Sequence, residues 1–154
     1  MSQAQPYTVQ IVVDSAEPHP LADWWAEVLG WEVEPQDAGF IRSMIDQGFA
    51  TEAETTHHRG ALVWASGAAI RHPEGLERAP RILFQQVPEA KMVKNRVHLD
   101  LRSTAAPSLA EKQRLLALGA TEIGGGTQGP QVAWVVLQDP EGNELCLPVP
   151  PPGS

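Results

Sequence analysis

The strongest constraint on the fold is an internal repeat with a spacing of about 88 residues. The matching pairs are Gln10 and His98, Leu21-Ala22 and Leu109-Ala110, and, one position further apart, Val28-Leu29-Gly30 and Ala117-Leu118-Gly119. The two copies end in Val87-Pro88 and Val149-Pro150, only 62 positions apart. The first copy therefore contains about 26 additional residues. Such a small unit cannot cover both faces of its own sheet, so we expect the two copies to pair.

Hydrophobic periodicity predicts a strand, a helix and three further strands in each copy. The first copy has predicted strands at 7–14, 31–34, 60–65 and 81–87, with helices at 21–30 and about 37–48. The second has predicted strands at 95–102, 120–123, 131–138 and 144–148, with a helix at 105–118. Residues 52–59 and 70–80 are predicted connections, residues 124–129 a flexible turn near a cavity mouth, and residues 139–143 a tight turn.

We therefore predict an α+β fold of two βαβββ modules in a single domain over residues 1–154. Module 1 covers about 7–88 with an insert at about 35–59, and module 2 covers about 95–150. The paired modules are expected to form a curved mixed sheet with helices outside and a cavity inside.

Composition narrows the classes of function. The net charge of −8 opposes phosphate backbones, so nucleic acid is an unfavourable partner. A single cysteine, Cys146, excludes an intrachain disulfide and a cysteine-rich zinc site. Residues 1–6 lack an apolar signal core, and no apolar run is long enough for a bilayer. We expect a cytoplasmic protein with no membrane partner.

Three segments resemble the vicinal oxygen chelate superfamily, and within it the glyoxalase-like proteins common in actinobacteria. They are LADWWAEVLGWEV at 21–33, KNRVHLDLR at 94–102 and WVVLQDPEGNELC at 134–146. The resemblance covers about residues 7–150 and implies the fold predicted above, and a homodimer. It leaves the reaction open, because the superfamily includes isomerases, lyases, ring-cleaving dioxygenases, thiol transferases and drug-binding proteins.

Two predicted strands of the second copy present polar side chains toward the cavity. Alternation places His98 and Asp100 opposite the apolar Val97, Leu99 and Leu101, and places Glu144 and Cys146 on one face of the last strand. Imidazole and carboxylate suit a divalent metal such as zinc, iron, manganese or nickel.

The resemblance implies one metal ligand from the first strand and one from the last strand of each module. His98 and Glu144 match the two positions of module 2, and Gln10 matches His98 in module 1. We predict Ile82 at the position that matches Glu144, so the ligand set is incomplete. Asp100 and Asp14 are the candidate general bases, and no organic cofactor is implied.

The remaining candidates line the expected cavity. They are Trp64, Trp134, Cys146, Phe84 and Gln86. Trp64 and Trp134 are assigned to equivalent strands, with core packing as the alternative role. Cys146 is interpreted as an inert thiol. His19, His57, His58 and His72 lie in polar or proline-flanked segments and are expected on the surface.

Three hypotheses of function follow. The first is a metal-dependent lyase or isomerase that acts on a small oxygenated metabolite. The second is a metal-free protein that binds or sequesters an antibiotic-like small molecule, with tryptophans as stacking surfaces. The third is a dimeric protein with a vestigial site.

Overall fold

Two four-stranded sheets of identical topology organise the chain. The structure, a computed structural model, describes residues 5–153. These divide into two compact units, the first extending to Glu89 and the second starting at Ala90. In each sheet the first strand of the unit pairs in parallel with the last, and the other pairs are antiparallel.

The first unit contains the longer copy of the repeat. Its elements are β1 (Ile11–Ser15), α1 (Pro18–Leu29), β2 (Glu32–Val33), α2 (Ala38–Asp46), a 3-10 turn (Glu52–Glu54), β3 (Thr55–His58), β4 (Ala61–Trp64), β5 (Gly67–Arg71) and β6 (Ile82–Gln86). The sheet has the order β1-β6-β5-β2, and β3 and β4 form a separate hairpin. Helix α2, the 3-10 turn and the β3-β4 hairpin thus have no counterpart among the described residues of the second unit.

The second unit contains the shorter copy. Its elements are β7 (Leu99–Asp100), α3 (Leu109–Ala117), β8 (Thr121–Gln128), β9 (Val132–Gln138) and β10 (Glu144–Val149). The sheet has the order β7-β10-β9-β8, so each strand has a topological counterpart in the first sheet. The predicted α+β glyoxalase-like fold class is confirmed.

Helices α1 and α3 each pack against the four-stranded sheet of their own unit. Helix α1 begins at Pro18, three residues before the predicted start, because proline lacks only an N–H that the first turn leaves unpaired anyway. Its buried side chains include Leu21, Trp25 and Val28. It ends at Leu29, and the following Gly30 has a φ of 66°, the left-handed conformation that glycine tolerates. In the second unit, Leu115 of α3 is completely buried.

Two strands of the first unit were missed. Strand β3 consists of the polar sequence TTHH, and its hairpin turn uses Arg59 and Gly60 with φ values of 50° and 79°. Strand β5 contains Ala68 and Ala69 where the β-branched residues typical of a strand would be expected. Both alanines are buried in the core, where small side chains fit.

The predicted strand at 95–102 is almost entirely irregular. Only Leu99 and Asp100 pair as β7, with Leu145 and Cys146 of β10. Val97, assigned to the apolar face against the helix, is instead 80% exposed.

The triple glycine is part of a strand, which corrects the predicted flexible turn. Gly125 and Gly126 pair with Val135 and Trp134 across the β8-β9 ladder. A Cβ atom on Gly126 would lie 2.5 Å from Cζ2 of Trp134. The glycine therefore allows the indole ring to lie directly against the backbone of β8.

This contact generates a prediction with a matched control on the same strand. Gly126→Ala should displace the Trp134 ring and lower the free energy of unfolding by about 1–3 kcal/mol. Gly124→Ala should change it by less than about 1 kcal/mol, because a Cβ there meets nothing within 4 Å. Urea unfolding and the tryptophan emission maximum measure the two effects. Equal effects of the two substitutions would contradict this account of the indole contact.

Candidate functional site

A cavity of about 680 Å³ opens on the second unit. This volume lies within the usual range of small-molecule pockets. The side chains of alternate residues on β9 and β10 line it. They include Val132, Trp134 and Val136 from β9, and Glu144, Cys146 and Pro148 from β10. Leu145 and Leu147, which alternate with them, are buried in the core. The segment around β7 adds His98, Asp100 and Arg102 to the lining.

Glu144 is buried and both of its carboxylate oxygens are engaged. Its Oε1 accepts a hydrogen bond from Lys91 Nζ at 3.2 Å, and its Oε2 accepts one from the backbone N–H of Asn95 at 3.0 Å. Burial raises the pKa of Glu144, but the hydrogen bonds from Asn95 N–H, from its own N–H and from Lys91 outweigh it. The pKa therefore lies below its ordinary value of 4.5. The carboxylate anchors the segment leading into β7.

The turn before β10 reinforces this anchor. Asp139 Oδ1 accepts hydrogen bonds from the N–H groups of Glu141 and Asn143, both at 2.9 Å. Asn143 Oδ1 in turn accepts one from Asn95 Nδ2 at 3.0 Å. The DPEGN sequence thus fixes the start of β10 and attaches the same incoming segment a second time.

The strand register corrects the expected alignment of the two copies. Ile82 pairs with Ile11 in the first sheet as Leu145 pairs with Leu99 in the second. Arg81, and not Ile82, therefore stands at the position equivalent to Glu144. A guanidinium cannot ligate a metal.

Arg81 also forms a hydrogen bond with Gln10, which was predicted to be a metal ligand. Its Nη1 donates to Oε1 of Gln10, while Nε and Nη2 donate to Glu34 at 3.0 and 2.7 Å. The hydrogen bonds from Arg81 lower the pKa of Glu34, and Glu34 raises the pKa of Arg81. The expected set of His98, Glu144 and Gln10 does not fit a metal ion, because two of its three members already serve cationic partners of the chain.

A different cluster surrounds Cys146. His98 Nε2 and Asp100 Oδ1 lie 3.2 Å apart, and one ligand atom each of His98, Asp100 and Cys146 lies within 4.8 Å of the others. Burial raises the pKa of the Cys146 thiol, and the carboxylate of Asp100, which accepts its hydrogen bond, raises it further. The thiol consequently holds its proton at neutral pH. Alternation along β10 is the sequence signal that places Cys146 on the same face as Glu144, which lines the cavity.

The other predicted site residues belong to the first unit. Asp14 is an exposed residue of β1, and Gln86 is exposed at the end of β6. Phe84 is completely buried in the core, so its assignment to the cavity wall is wrong. Trp64 lies in the β3-β4 hairpin and Trp134 in β9, so they do not occupy equivalent strands. The pairings of Ala68 with Phe84 and of Val135 with Leu147 make Gly67 the counterpart of Trp134.

Sequence reasoning missed a histidine cluster in the first unit. His19 is 8% exposed and its Nε2 lies 2.8 Å from the carbonyl oxygen of Trp64. Its ring stacks on that of His58, whose Nε2 is 2.6 Å from Asp23 Oδ2. The cluster joins the β3-β4 hairpin to α1, so the expected exposure of His19 is wrong. The Arg59-Gly60 hairpin turn is the signal that could have located it.

Comparisons with known proteins agree with this architecture. The glyoxalase-like domain family matches residues 10–148. The chain therefore belongs to the glyoxalase-like domain family, and the predicted resemblance to the vicinal oxygen chelate superfamily is confirmed. No match to a curated protein was found.

Several solved structures share the fold at low sequence identity. A genomically encoded fosfomycin resistance protein, FosX, from Listeria monocytogenes has a TM-score of 0.59 at 7% identity, over 95% of this chain and 94% of that one. A glyoxalase/bleomycin resistance protein/dioxygenase family enzyme from Burkholderia phytofirmans PsJN has a TM-score of 0.56 at 12% identity, over 91% and 95%. A glyoxylase/bleomycin resistance protein/dioxygenase domain from Frankia sp. EAN1pec has a TM-score of 0.51 at 11% identity, over 98% and 96%. The TM-scores show a common fold, and at such low identities the likeness shows no more than the fold.

The helices are not of the membrane-spanning kind. Within residues 5–153, every helix is too short or too polar to cross a bilayer.

The Glu144 contacts generate a prediction about acid stability. Because the folded pKa lies below 4.5, the stabilisation by the carboxylate is complete above the unfolded pKa and is lost as the pH falls through the folded value. Glu144→Gln should lower the free energy of unfolding by about 1–3 kcal/mol at pH 7, and this deficit should shrink when unfolding is measured below pH 4.5.

Glu89→Gln is the control, because Glu89 is an exposed carboxylate with no ion pair among the described residues. It should change stability by less than about 0.5 kcal/mol at either pH. A Glu144→Gln deficit that is independent of pH would show that the carboxylate charge does not stabilise the fold.

Proposed function

We propose that the cavity of the second unit binds a small organic molecule directly, without a metal, in the manner of a binding or sequestration protein. The observation that carries this proposal is the engagement of Glu144 by Lys91 and Asn95. The cavity that remains is lined mostly by apolar surface, with Trp134 half-buried in it. An aromatic ring that is already partly ordered offers a large contact area at low entropic cost.

The names of similar structures support a small-molecule ligand. One of the similar structures is a fosfomycin resistance protein, and two belong to a group whose description includes bleomycin resistance. A small-molecule ligand is therefore the partner proposed for this chain. The homodimer and the cytoplasmic location stay predictions from the resemblance and the composition.

The proposal is tested with N-phenyl-1-naphthylamine, an uncharged aromatic probe whose emission rises in an apolar site. The native protein should bind the probe equally well with and without EDTA. Trp134→Ala should weaken binding about fivefold, because part of the apolar contact area is removed. Trp31→Ala, a tryptophan of the first unit that contacts His72, should leave binding unchanged.

A second variant protects the test against misfolding. Val136→Trp adds bulk to the cavity wall without removing Trp134 and should also weaken binding. Absence of probe binding to the native protein, or binding that is indifferent to both cavity variants, would overturn the proposal.

The cluster of His98, Asp100 and Cys146 favours a second candidate function, a metal-dependent lyase or isomerase. Imidazole, carboxylate and thiolate together are a donor set that suits zinc. A bound metal would supply Lewis acidity to polarise a substrate oxygen. The chain would have to release the Cys146 proton, so the raised pKa of the thiol predicts affinity that falls as the pH falls.

Cobalt titration distinguishes this candidate by a spectroscopic signature. A metal held at the cluster should give a thiolate-to-cobalt charge-transfer band in the near ultraviolet. Cys146→Ser and His98→Ala should abolish the band, while Glu89→Gln, at an exposed carboxylate outside the cluster, and Gln10→Ala should leave it unchanged. A titration without the band would exclude Cys146 as a ligand.

A further inference from the structure

The strand register determines which side chains share a row across the cavity. Trp134 of β9 pairs with Pro148 of β10 on one side and with Gly126 of β8 on the other. On the opposite edge, Cys146 pairs with Asp100, and the N–H of Leu101 donates to the carbonyl oxygen of Cys146 at 2.9 Å. This bond extends the parallel register by one residue beyond β7, and Arg102 is the next residue of that segment. Pro148, Trp134 and Gly126 form one row across three strands, which Arg102 continues at the β7 edge of the same cavity.

The row changes from apolar to cationic along its length. At one end the indole of Trp134 lies against β8, where Gly126 has no side chain to hold it away. The proline ring of Pro148 continues this surface, and both residues line the cavity. Two strand spacings separate Trp134 from Arg102, which places their backbones about 10 Å apart.

The charge of Arg102 is one that its neighbours leave uncompensated. Of the two carboxylates that line the cavity, Glu144 pairs with Lys91 at 3.2 Å and Asp100 lies 3.2 Å from the imidazole of His98. Among the described residues, Arg102 makes no ion pair or hydrogen bond, although it lines the cavity and remains exposed. In a chain of net charge −8, a free guanidinium at one end of an apolar row is a local anion-binding feature.

We infer that the cavity selects an amphipathic anion. Its flat apolar part lies over Trp134 and Pro148, and an acidic oxygen group such as a carboxylate, sulfonate or phosphate reaches Arg102. A guanidinium presents several N–H donors in one plane, which suits two oxygens of such a group. The inference rests on the proposed function, because it names the ligand class for the same cavity.

The spacing of the row adds a geometric requirement. The acidic group and the centre of the apolar part must be separated by no more than about 10 Å, the distance of two strands. A compact ring system with the acidic group bonded directly to the ring meets this requirement. Lys94, which also lines the cavity, donates only at 3.4 Å to the carbonyl oxygen of Asn95 and adds a second positive charge.

Two probes that differ only in one charged group test the inference. 8-Anilinonaphthalene-1-sulfonate is N-phenyl-1-naphthylamine with an added sulfonate. Fluorescence titrations give the dissociation constant of each probe, and only the signal that Val136→Trp removes is assigned to the cavity. Arg102→Gln should weaken binding of the sulfonate probe about fivefold and change binding of the uncharged probe less than about twofold.

Three controls separate a specific contact from general electrostatics. Arg102→Lys should restore part of the affinity, because the charge remains while the planar donors are lost. Arg96→Gln makes the same charge change six positions away at an exposed residue outside the cavity lining, and should alter neither constant. The effect of Arg102→Gln should shrink at about 1 M salt, where exposed charges are screened.

The possible failures are distinguishable. If Arg102→Gln leaves the sulfonate probe unaffected, or weakens both probes equally, the anion site is wrong, while Trp134-dependent binding of the uncharged probe preserves the proposed function. If neither probe binds to the native protein, both the proposed function and this inference are wrong.

Discussion

The buried carboxylate of Glu144 is the interaction on which the second unit depends. Strand β7 is only two residues long, so its ladder to β10 contributes few hydrogen bonds. Glu144 compensates by accepting from Asn95 and Lys91 in the segment that leads into β7. The neighbouring Asn143 binds Asn95 a second time. These contacts position His98 and Asp100 beside Cys146, and the side chain expected to be a ligand acts instead as an anchor.

The two copies of the repeat share one topology but present different side chains at equivalent positions. His98 corresponds to Gln10 directly before the first strand of each unit, and Glu144 at the start of β10 corresponds to Arg81 directly before β6. Where the second unit has Trp134, the first has Gly67, whose Cβ position is closed by the carbonyl oxygen of Phe84 at 2.8 Å. Backbone pairing requires only the alternation of buried residues, so the other face of each sheet can carry different side chains. The described cavity, with its aromatic ring and its cationic residues Lys94 and Arg102, lies in the second unit.

Much of the architecture could be predicted from the sequence, because the residue patterns that indicate it are periodic and local. The repeat and the turn at residues 139–143 follow from spacing and turn chemistry. Strand β5 could not be predicted, since its buried alanines have little strand preference and lie where α1 packs against β5. Strand β8 was hidden by its glycines, whose role depends on a ring contributed by β9. At the site, alternation grouped Glu144 with Cys146, but the sequence does not show which carboxylate is already paired.

The sequence by itself determined the family, the two-copy βαβββ plan and the face to which the polar residues of β10 belong. These properties depend on periodicity and turn residues, which are local in the chain. Only the tertiary structure decided that Arg81 stands at the position equivalent to Glu144, that Gln10 is hydrogen-bonded to Arg81, and that Arg102 and Trp134 line the same cavity. Such relations are set by register between strands far apart in sequence. A one-residue shift in that register sends a side chain to the opposite face of the sheet.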